Sequence, residues 1–303
     1  MLRVTFLGTG GTLPTPDRNP SAIFINIHGD TMLFDCGEGT QQQMMRAKTG
    51  MKLSSIFVTH YHADHFLGIP GLIQTMSFNG RTEPLDIYGP AWTEQFVNFL
   101  IELGYFRLNF KINAHELKGG DVIDKDKYSI RAVETDHGIP SLGYVLLEKP
   151  RPGRFNREKA MELGVPIGPL FSKLHQGETV TVNGLEIHPD DVVGPLRSGR
   201  KLVYSGDTRP CEGIEKESRD ADLLIHDGTM AHDLHEWAVE TKHSTTKEAA
   251  QLAKNAGVMK LILTHISSRY SENTKQLLDD AKEVFVNTSI AKELMEIVIP
   301  LPE

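Results

Sequence analysis

The residues best suited to chemistry are concentrated in one short segment, His60–His65, which reads HYHADH. It directly follows the run Ser55–Thr59, whose composition is typical of a β-strand. His60 and His62 are two residues apart, so their side chains leave an extended chain on the same side. Three histidines clustered only for packing would leave ring nitrogens without partners, which is costly. The segment therefore predicts a metal site, and its four ligand-type side chains are enough to serve two ions.

Three further residues of ligand type each follow a predicted strand at its carboxyl end. They are His137 after Tyr128–Val133, Asp207 after Lys201–Tyr204, and His265 after Lys260–Thr264. Any one of them alone would most often be a turn or cap residue. If the strand ends converge, the whole set supplies five imidazoles and two carboxylates. That is enough for two ions with one carboxylate bridging them.

The ligand types restrict the choice of metal. Imidazole and carboxylate without thiolate suit Zn²⁺, and also Mn²⁺, Fe²⁺ or Co²⁺. We expect two Zn²⁺ ions per subunit. Two divalent ions with two carboxylates leave a positive site, so a chain of formal charge −8 can still attract a phosphodiester. Water bound to such ions has a pKa near ~7 and supplies a nucleophile at neutral pH.

Short β-rich runs and helical patterns must position these ligands. Besides the strands already named, the β-rich runs are Val4–Leu7, Ala22–Ile27, Thr31–Phe34, Leu85–Tyr88, Leu142–Leu147 and Leu223–Ile225. The helical patterns are Glu38–Lys48, Phe66–Met76, Trp92–Leu103 and Thr245–Ala256. In the last of these, Thr245 and Glu248 have the spacing of a capping box. The mixture predicts an α/β fold in which helices cover sheets.

Length and composition exclude several classes of protein. The chain has 303 residues, 40 of them acidic and 32 basic, with 24% charged and 39% hydrophobic residues. This balance excludes a disordered chain and a uniformly basic nucleic-acid coat protein. Two cysteines cannot form a disulfide framework or a Cys-rich zinc module. No apolar run approaches the ~18 residues that span a bilayer, so we expect a cytoplasmic protein without a membrane partner.

The stretch 148–176 differs from the rest of the chain. It holds six basic and three acidic residues, and its prolines and glycines are typical of loops. We predict a basic, flexible arm over 148–176, inserted in a single domain that spans 1–303. From composition alone, a solvated surface hairpin is the better explanation.

Together, HYHADH and the downstream ligands resemble the metallo-β-lactamase superfamily and, within it, the short form of the ribonuclease Z family. Further matching motifs are FDCGEGTQ at 34–41, KHST at 242–245, and Gly168-Pro169 inside the arm. The resemblance runs from residue 3 to about residue 270. It implies a four-layer αβ/βα sandwich with a protruding flexible arm. It also implies a zinc-dependent endoribonuclease that removes the 3′ trailer from precursor tRNA by two-metal hydrolysis with a metal-bound hydroxide. The tRNA would keep a 3′-hydroxyl, and the trailer a 5′-phosphate.

The resemblance also implies roles for individual residues. One zinc would be held by His60, His62 and His137, the other by Asp64, His65 and His265, with Asp207 bridging. Asp64 would also orient or deprotonate the attacking water. His243 would protonate the leaving 3′ oxygen, with Asp227 as its acidic partner. The arm would clamp the tRNA elbow and, in a homodimer, serve the partner subunit. The residues expected to contact tRNA are Arg18, Asn19, Arg151, Arg154, Arg157, Gly168, Pro169 and Lys173.

The sequence departs from the family pattern at two positions, and two alternative functions are also consistent with its residues. Pro16 stands where the family often has a lysine, and Asp227 stands where a glutamate is common. The same ligands would also suit a binuclear hydrolase of small esters, such as a lactonase, a thioesterase of glyoxalase II type or an arylsulfatase. A non-catalytic RNA-binding module is the third alternative. The arm and the KHST motif favour the nuclease, and the full ligand set argues against the module.

Overall fold

A computed structural model describes residues 1–104 and 106–302. The chain forms two compact units. The first contains Met1–Leu147 and Lys201–Pro300, and the second contains Glu148–Arg200 with the C-terminal residues from Leu301. The predicted arm at 148–176 lies in the second unit, which continues to Arg200. None of the helices in the described ranges has the length and apolar character needed to cross a bilayer.

The described residues form strands that we number in chain order. They are β1 (Leu2–Gly8), β2 (Ala22–Ile27), β3 (Asp30–Phe34), β4 (Ser55–Phe57), β5 (Leu85–Gly89), β6 (Ile112–Glu116), β7 (Val122–Asp124), β8 (Tyr128–Glu134), β9 (Leu142–Glu148), β10 (Val180–Val182), β11 (Leu185–Ile187), β12 (Lys201–Tyr204), β13 (Leu223–Asp227), β14 (Leu261–Thr264), β15 (Thr288–Ile290) and β16 (Glu296–Ile299). The first unit contains two mixed sheets. Their strand orders are β16-β1-β2-β3-β4-β5-β6 and β15-β14-β13-β12-β9-β8-β7.

The α-helices of the described residues are numbered in the same way. They are α1 (Thr40–Ala47), α2 (Ala63–Phe66), α3 (Ile69–Phe78), α4 (Thr93–Ile101), α5 (Arg157–Glu162), α6 (Pro169–His175), α7 (Pro189–Val192), α8 (Glu212–Glu217), α9 (His235–Glu240), α10 (Thr246–Ala256) and α11 (Lys275–Lys282). The predicted capping box is confirmed, because Thr245 caps α10 and the Glu248 carboxylate accepts from the Thr245 N–H at 3.0 Å. Gly257 ends α10 with a φ of 65°, a conformation that favours glycine.

The strands of the first unit alternate their side chains between the two faces of each sheet, as the pleat requires. On β2, Ile23, Ile25 and Ile27 belong to the core shared by the two sheets, whereas Ala22 and Phe24 pack under the helices. Helices α1, α3 and α4 cover the outer face of the first sheet, and α8, α10 and α11 cover that of the second. The predicted αβ/βα sandwich is therefore confirmed.

Parallel strands in both sheets end next to predicted ligands. Strands β3, β4 and β5 pair in parallel, as do β12, β13 and β14. His60 comes shortly after β4, Asp207 after β12, and His265 directly after β14. The carboxyl ends of parallel strands are the usual place for binding sites in such sheets.

The second unit has a small core of its own. Helices α5, α6 and α7 and the β10–β11 hairpin bury side chains including Ala160, Leu174 and Val192. Asn156 caps α5 by accepting from the Lys159 N–H at 3.0 Å. The longer segment of this unit begins at Glu148 and ends at Arg200, and these two residues form a buried ion pair. Arg200 Nη2 donates to Glu148 Oε1 at 2.7 Å, and Arg200 Nε donates to Glu148 Oε2 at 2.8 Å.

Candidate active site

The HYHADH segment leads from β4 into the short helix α2. His60 lies in the chain after the strand, His62 is the N-cap of α2, and Asp64 and His65 lie inside it. His60, Asp64 and His65 are buried, while His62 is exposed. The strand-to-helix turn therefore presents two groups of ligand atoms from six consecutive residues.

The first group consists of His60, His62 and His137. The Nδ1 atom of His62 lies 3.0 Å from His60 Nε2 and 3.1 Å from His137 Nε2. His137 comes from the loop after β8, 75 residues along the chain from His62. Ligand atoms of the three residues lie within 4.8 Å of one another, so they can share one ion.

The second group consists of Asp64, His65 and His265, and Asp207 lies between the two groups. Asp64 Oδ2 is 3.3 Å from His265 Nε2 and 3.6 Å from His65 Nε2. Asp207 Oδ2 is 3.1 Å from His265 Nε2 and 3.3 Å from His65 Nε2. The same oxygen is 3.9 Å from the Nε2 atoms of both His60 and His137. One carboxylate oxygen is thus close to ligands of both groups.

The donor set fits divalent cations. The Nδ1 atoms of His65 and His137 are hydrogen-bonded to acceptors, the Asp35 carboxylate at 2.8 Å and the Lys242 carbonyl at 3.0 Å. Each Nδ1 therefore carries the proton in the neutral ring, and each Nε2 presents a lone pair to the centre. Inside the described residues, His65 Nε2 and Asp207 Oδ1 are buried without a hydrogen-bond partner. Buried polar atoms of this kind are costly unless a cation satisfies them.

The charge states of the buried ligands also suit a cation. Burial, together with the neighbouring His65, lowers the pKa of His60 well below its ordinary value. Burial works against the charge on Asp207, but the neighbouring His265 and His65 outweigh it and hold the pKa of that carboxyl well below its usual range. His60 is therefore a neutral imidazole and Asp207 an ionised carboxylate at neutral pH, the forms that bind metal. At His65 burial opposes the charge, but Asp207 and Asp35 outweigh it and raise the pKa well above its ordinary value, so a cation would have to displace a proton there.

A histidine–aspartate pair stands beside these ligands. His243 Nδ1 lies 2.9 Å from Asp227 Oδ2, and Asp227 is completely buried at the end of β13. Burial disfavours the charged imidazole, but the Asp227 carboxylate outweighs it and raises the pKa of His243 to about 9. Asp227 is held in turn by the N–H groups of Thr208 and Thr229, at 3.1 and 2.9 Å. The pair can therefore supply a proton at neutral pH.

Two supporting residues have no role in the sequence prediction. Asp35 is buried after β3 and accepts hydrogen bonds from the Tyr204 hydroxyl at 2.7 Å and the Thr59 N–H at 2.7 Å, besides holding His65. Arg209 donates to the His243 carbonyl oxygen and to both carboxylate oxygens of Glu248. The only sequence signal for Asp35 is its place in FDCGEGTQ, and Arg209 has none.

The two predicted tRNA contacts of the first unit, Arg18 and Asn19, differ in burial. The Arg18 guanidinium is buried, with 7% of the residue exposed, and its Nη1 donates to Thr9 Oγ1 at 2.7 Å and to the Ala291 carbonyl at 2.9 Å. Arg18 is thus directed into the protein and away from solvent. Asn19 is half-buried, and its N–H donates to Glu293 Oε1 at 3.2 Å.

The remaining predicted tRNA contacts all belong to the second unit. The side chains of Arg154, Arg157 and Lys173 are exposed there. Arg151 is half-buried, and its Nη2 donates to the Pro302 carbonyl at 2.6 Å. Gly168 precedes α6 with a φ of 152°, and Pro169 is the first residue of that helix.

Comparisons with known proteins agree with this fold. The β-lactamase superfamily domain family matches residues 170–266, and the anti-Pycsar protein Apyc1 family matches residues 2–148. The solved structure of a metallo-β-lactamase fold protein, YhfI from Bacillus subtilis, superposes with a TM-score of 0.71 at 21% identity. It covers 98% of this chain and all of that one, and shows the shared fold.

Closer relatives share one name. The ribonuclease Z of Methanosarcina acetivorans is 64% identical over 301 residues, covering 99% of both chains. That of Archaeoglobus fulgidus is 49% identical over 306 residues, covering 100% of this chain and 99% of the other. The crystal structure of human tRNase Z, short form, superposes with a TM-score of 0.73 at 30% identity, covering 99% of this chain and all of that one. The chain therefore belongs to the ribonuclease Z family, endoribonucleases with the metallo-β-lactamase fold.

Proposed function

We propose that this chain removes the 3′ trailer from precursor tRNA with two divalent cations, Zn²⁺ in the first instance. The observation that carries the proposal is the position of Asp207 Oδ2, 3.1 to 3.9 Å from ring nitrogens of both ligand groups. One cation would be held by His60, His62 and His137, and the other by Asp64, His65 and His265, with Asp207 between them. When bound, such cations neutralise phosphate charge and make water a nucleophile at neutral pH.

Asp64 is the residue we propose to accept a proton from the attacking water. Burial works against its charge, but the hydrogen bond from His265 and the nearby His65 outweigh burial and lower the pKa of Asp64 to about 2. The carboxylate is therefore ionised throughout the neutral range. It is 4% exposed at its side chain, so it acts where bulk water is largely excluded.

His243 is the residue we propose to protonate the leaving 3′ oxygen of the tRNA. Its Nδ1 is engaged by Asp227, so Nε2 is the nitrogen that can donate. A leaving alkoxide is a strong base, and a positioned acid typically contributes a factor of about 10²–10⁴ to such a step. Asp227 keeps the ring oriented and charged, as an acidic partner should.

We propose that the second unit binds the tRNA through its exposed basic side chains and that, in a homodimer, it serves the partner subunit. Arg154 and Arg157 are the clearest candidates, because phosphate contacts need accessible guanidinium groups. Replacing both by alanine should raise the Kd for precursor tRNA and reduce the slope of log Kd against log salt concentration by roughly 2. A matched control removes two exposed lysines of the first unit, Lys254 and Lys282, and should leave that slope unchanged. Equal slopes for the two variants would contradict this role.

The activity is tested with a precursor tRNA that carries a 3′ trailer, alongside bis(p-nitrophenyl) phosphate and a panel of lactones and thioesters. We expect cleavage at the tRNA–trailer junction. Asp64→Ala should abolish it with little effect on tRNA binding, whereas Asp126→Ala, which removes an exposed carboxylate between β7 and β8, should not. Turnover of small esters without precursor cleavage would refute the proposal and support the small-ester hydrolase.

A further inference from the structure

A small pocket of about 180 Å³ opens directly beside the proposed acid. His243 and His265 form part of its wall, and the rest includes Leu13, Trp237 and Arg269. None of the last three is among the predicted ligands or catalytic groups. The pocket is therefore continuous with the reaction centre but has a different, partly apolar lining.

Two large apolar side chains of this pocket face solvent. Trp237 is 46% exposed and Leu13 is 67% exposed. Single exposed apolar residues are common on protein surfaces and need no explanation. Here the two line the same pocket next to a catalytic histidine, and an exposed indole in such a place is a platform on which a planar ring can stack.

The backbone of Trp237 is connected to that of His243 by hydrogen bonds. The Trp237 carbonyl accepts from the Thr241 N–H at 2.9 Å and from its hydroxyl at 2.8 Å, which closes the end of α9. The His243 N–H then donates to the Ala238 carbonyl at 2.9 Å. Trp237 and His243 are thus joined by one hydrogen-bonded helix end.

Arg269 adds a cationic group to the same pocket. Its guanidinium carbon is 5.9 Å from the centre of the Trp237 ring, within the range of a cation–π contact. Its Nη1 also donates to Ser267 Oγ at 3.3 Å. An exposed aromatic ring and a guanidinium in one pocket are groups that recognise an unpaired nucleotide in RNA.

We infer that this pocket binds one unpaired nucleobase, stacked on Trp237, and that the base belongs to the last nucleotide of the mature tRNA. The inference rests on the proposed function, in which His243 protonates the 3′ oxygen that leaves. That oxygen is on the ribose of the last tRNA nucleotide, so the base beside His243 is the base of the same nucleotide. Stacking accepts all four bases, since each has a π-face.

The test combines a protein variant with a substrate variant. Trp237→Ala should lower kcat/KM for precursor tRNA at least about fivefold, the lower end of what base–aromatic stacking contributes. Trp237→Phe keeps an aromatic face and should retain most of the activity. Phe99→Ala removes an aromatic ring that is even more exposed, 65% on α4, and should leave kcat/KM unchanged.

The matching substrate is a precursor that lacks only the base of the last tRNA nucleotide. The kcat/KM of the parent protein should be at least about fivefold lower for this substrate than for the intact precursor. Trp237→Ala should have the same kcat/KM for both substrates, because the protein change and the substrate change remove the same contact. If Trp237→Ala loses the same factor on the intact and the abasic precursor, the inference is wrong. A second substrate lacks only the base of the first trailer nucleotide. If the effect of Trp237→Ala disappears on this substrate alone, the pocket binds the trailer side of the cleavage site, and the inference is also wrong. A parent protein that cleaves no intact precursor would instead refute the proposed function itself.

Discussion

Replacing Asp227 by asparagine should shift the pH dependence of RNA cleavage. Asp227 Oδ2 is 2.9 Å from His243 Nδ1 and completely buried, so its charge acts on the imidazole with little screening. It is the main reason that the pKa of His243 rises from 6.5 to about 9, since burial alone would lower it. The difference corresponds to about 3 kcal/mol in favour of the protonated ring.

The sign of the effect follows from the proposed role of His243 as an acid. An acid works while it is protonated, so the rate falls as the pH rises through its pKa. At pH 7.5 a group with a pKa near 9 is almost fully protonated, whereas one with its ordinary pKa of 6.5 is only about one-tenth protonated. In Asp227→Asn, burial still opposes the charged ring, so the rate should fall at least about tenfold at pH 7.5 and less at pH 5.5.

The assay is single-turnover cleavage of precursor tRNA between pH 5.5 and 8.5 with saturating divalent cation. Bound cations would lower the pKa of His243 in both proteins, so the predicted quantity is the fall in the ratio of variant to parent rate as the pH rises. Metal content and thermal unfolding serve as controls, because Asp227 also accepts from the Thr208 and Thr229 N–H groups. A ratio that is constant over this pH range would refute the reasoning.

Further predictions concern stability, the setting of His243 and the cations. Glu148→Gln should lower the free energy of unfolding by about 3–5 kcal/mol in urea titrations, because it removes the carboxylate charge that faces the buried Arg200 guanidinium. The double variant Glu148→Gln with Arg200→Met should recover much of that loss. A cost of the single change below ~1 kcal/mol would contradict the prediction. Arg209→Met should lower kcat at unchanged metal content, because Arg209 holds the His243 carbonyl and Glu248. Loss of metal instead would contradict this role, because it would mean that Arg209 supports the ligands and not His243. Chelation should lower the Tm, because cations at 100 times their Kd stabilise the folded protein by about 2.7 kcal/mol per site, and an unchanged Tm would argue against the site.

Local patterns predict most of the sandwich. Strands β2 and β12 have the predicted bounds, and the predicted helix of Thr245–Ala256 is α10 with its N-cap. These elements carry their own signals, namely alternation, β-branched residues and capping chemistry. The predicted ligands meet because several of them follow strands whose ends lie at one edge of the sheets. Such a convergence is a property of the fold class.

What the sequence does not predict depends on contacts between distant segments. Strand β16 is short and pairs with β1 from the opposite end of the chain, so no local turn announces it. Arg18 is of a residue type that often contacts RNA at a protein surface. It is nevertheless buried, and the Ala291 carbonyl and the Thr9 hydroxyl accept its hydrogen bonds. Asp35 likewise acquires its role from Tyr204 and His65, which come from other elements. When the contacts that bury a residue come from distant segments, the sequence around that residue does not predict its burial.

In the proposed reaction, water in a site that would hold two cations cuts the phosphodiester after the last tRNA nucleotide. End-group mapping, at nucleotide resolution, of a precursor tRNA digested by the metal-loaded protein identifies the attacking oxygen. We expect a tRNA with a free 3′-hydroxyl and a trailer with a 5′-phosphate. A 2′,3′-cyclic phosphate on the tRNA would contradict it, because the attacking oxygen would then be the 2′-hydroxyl of the RNA.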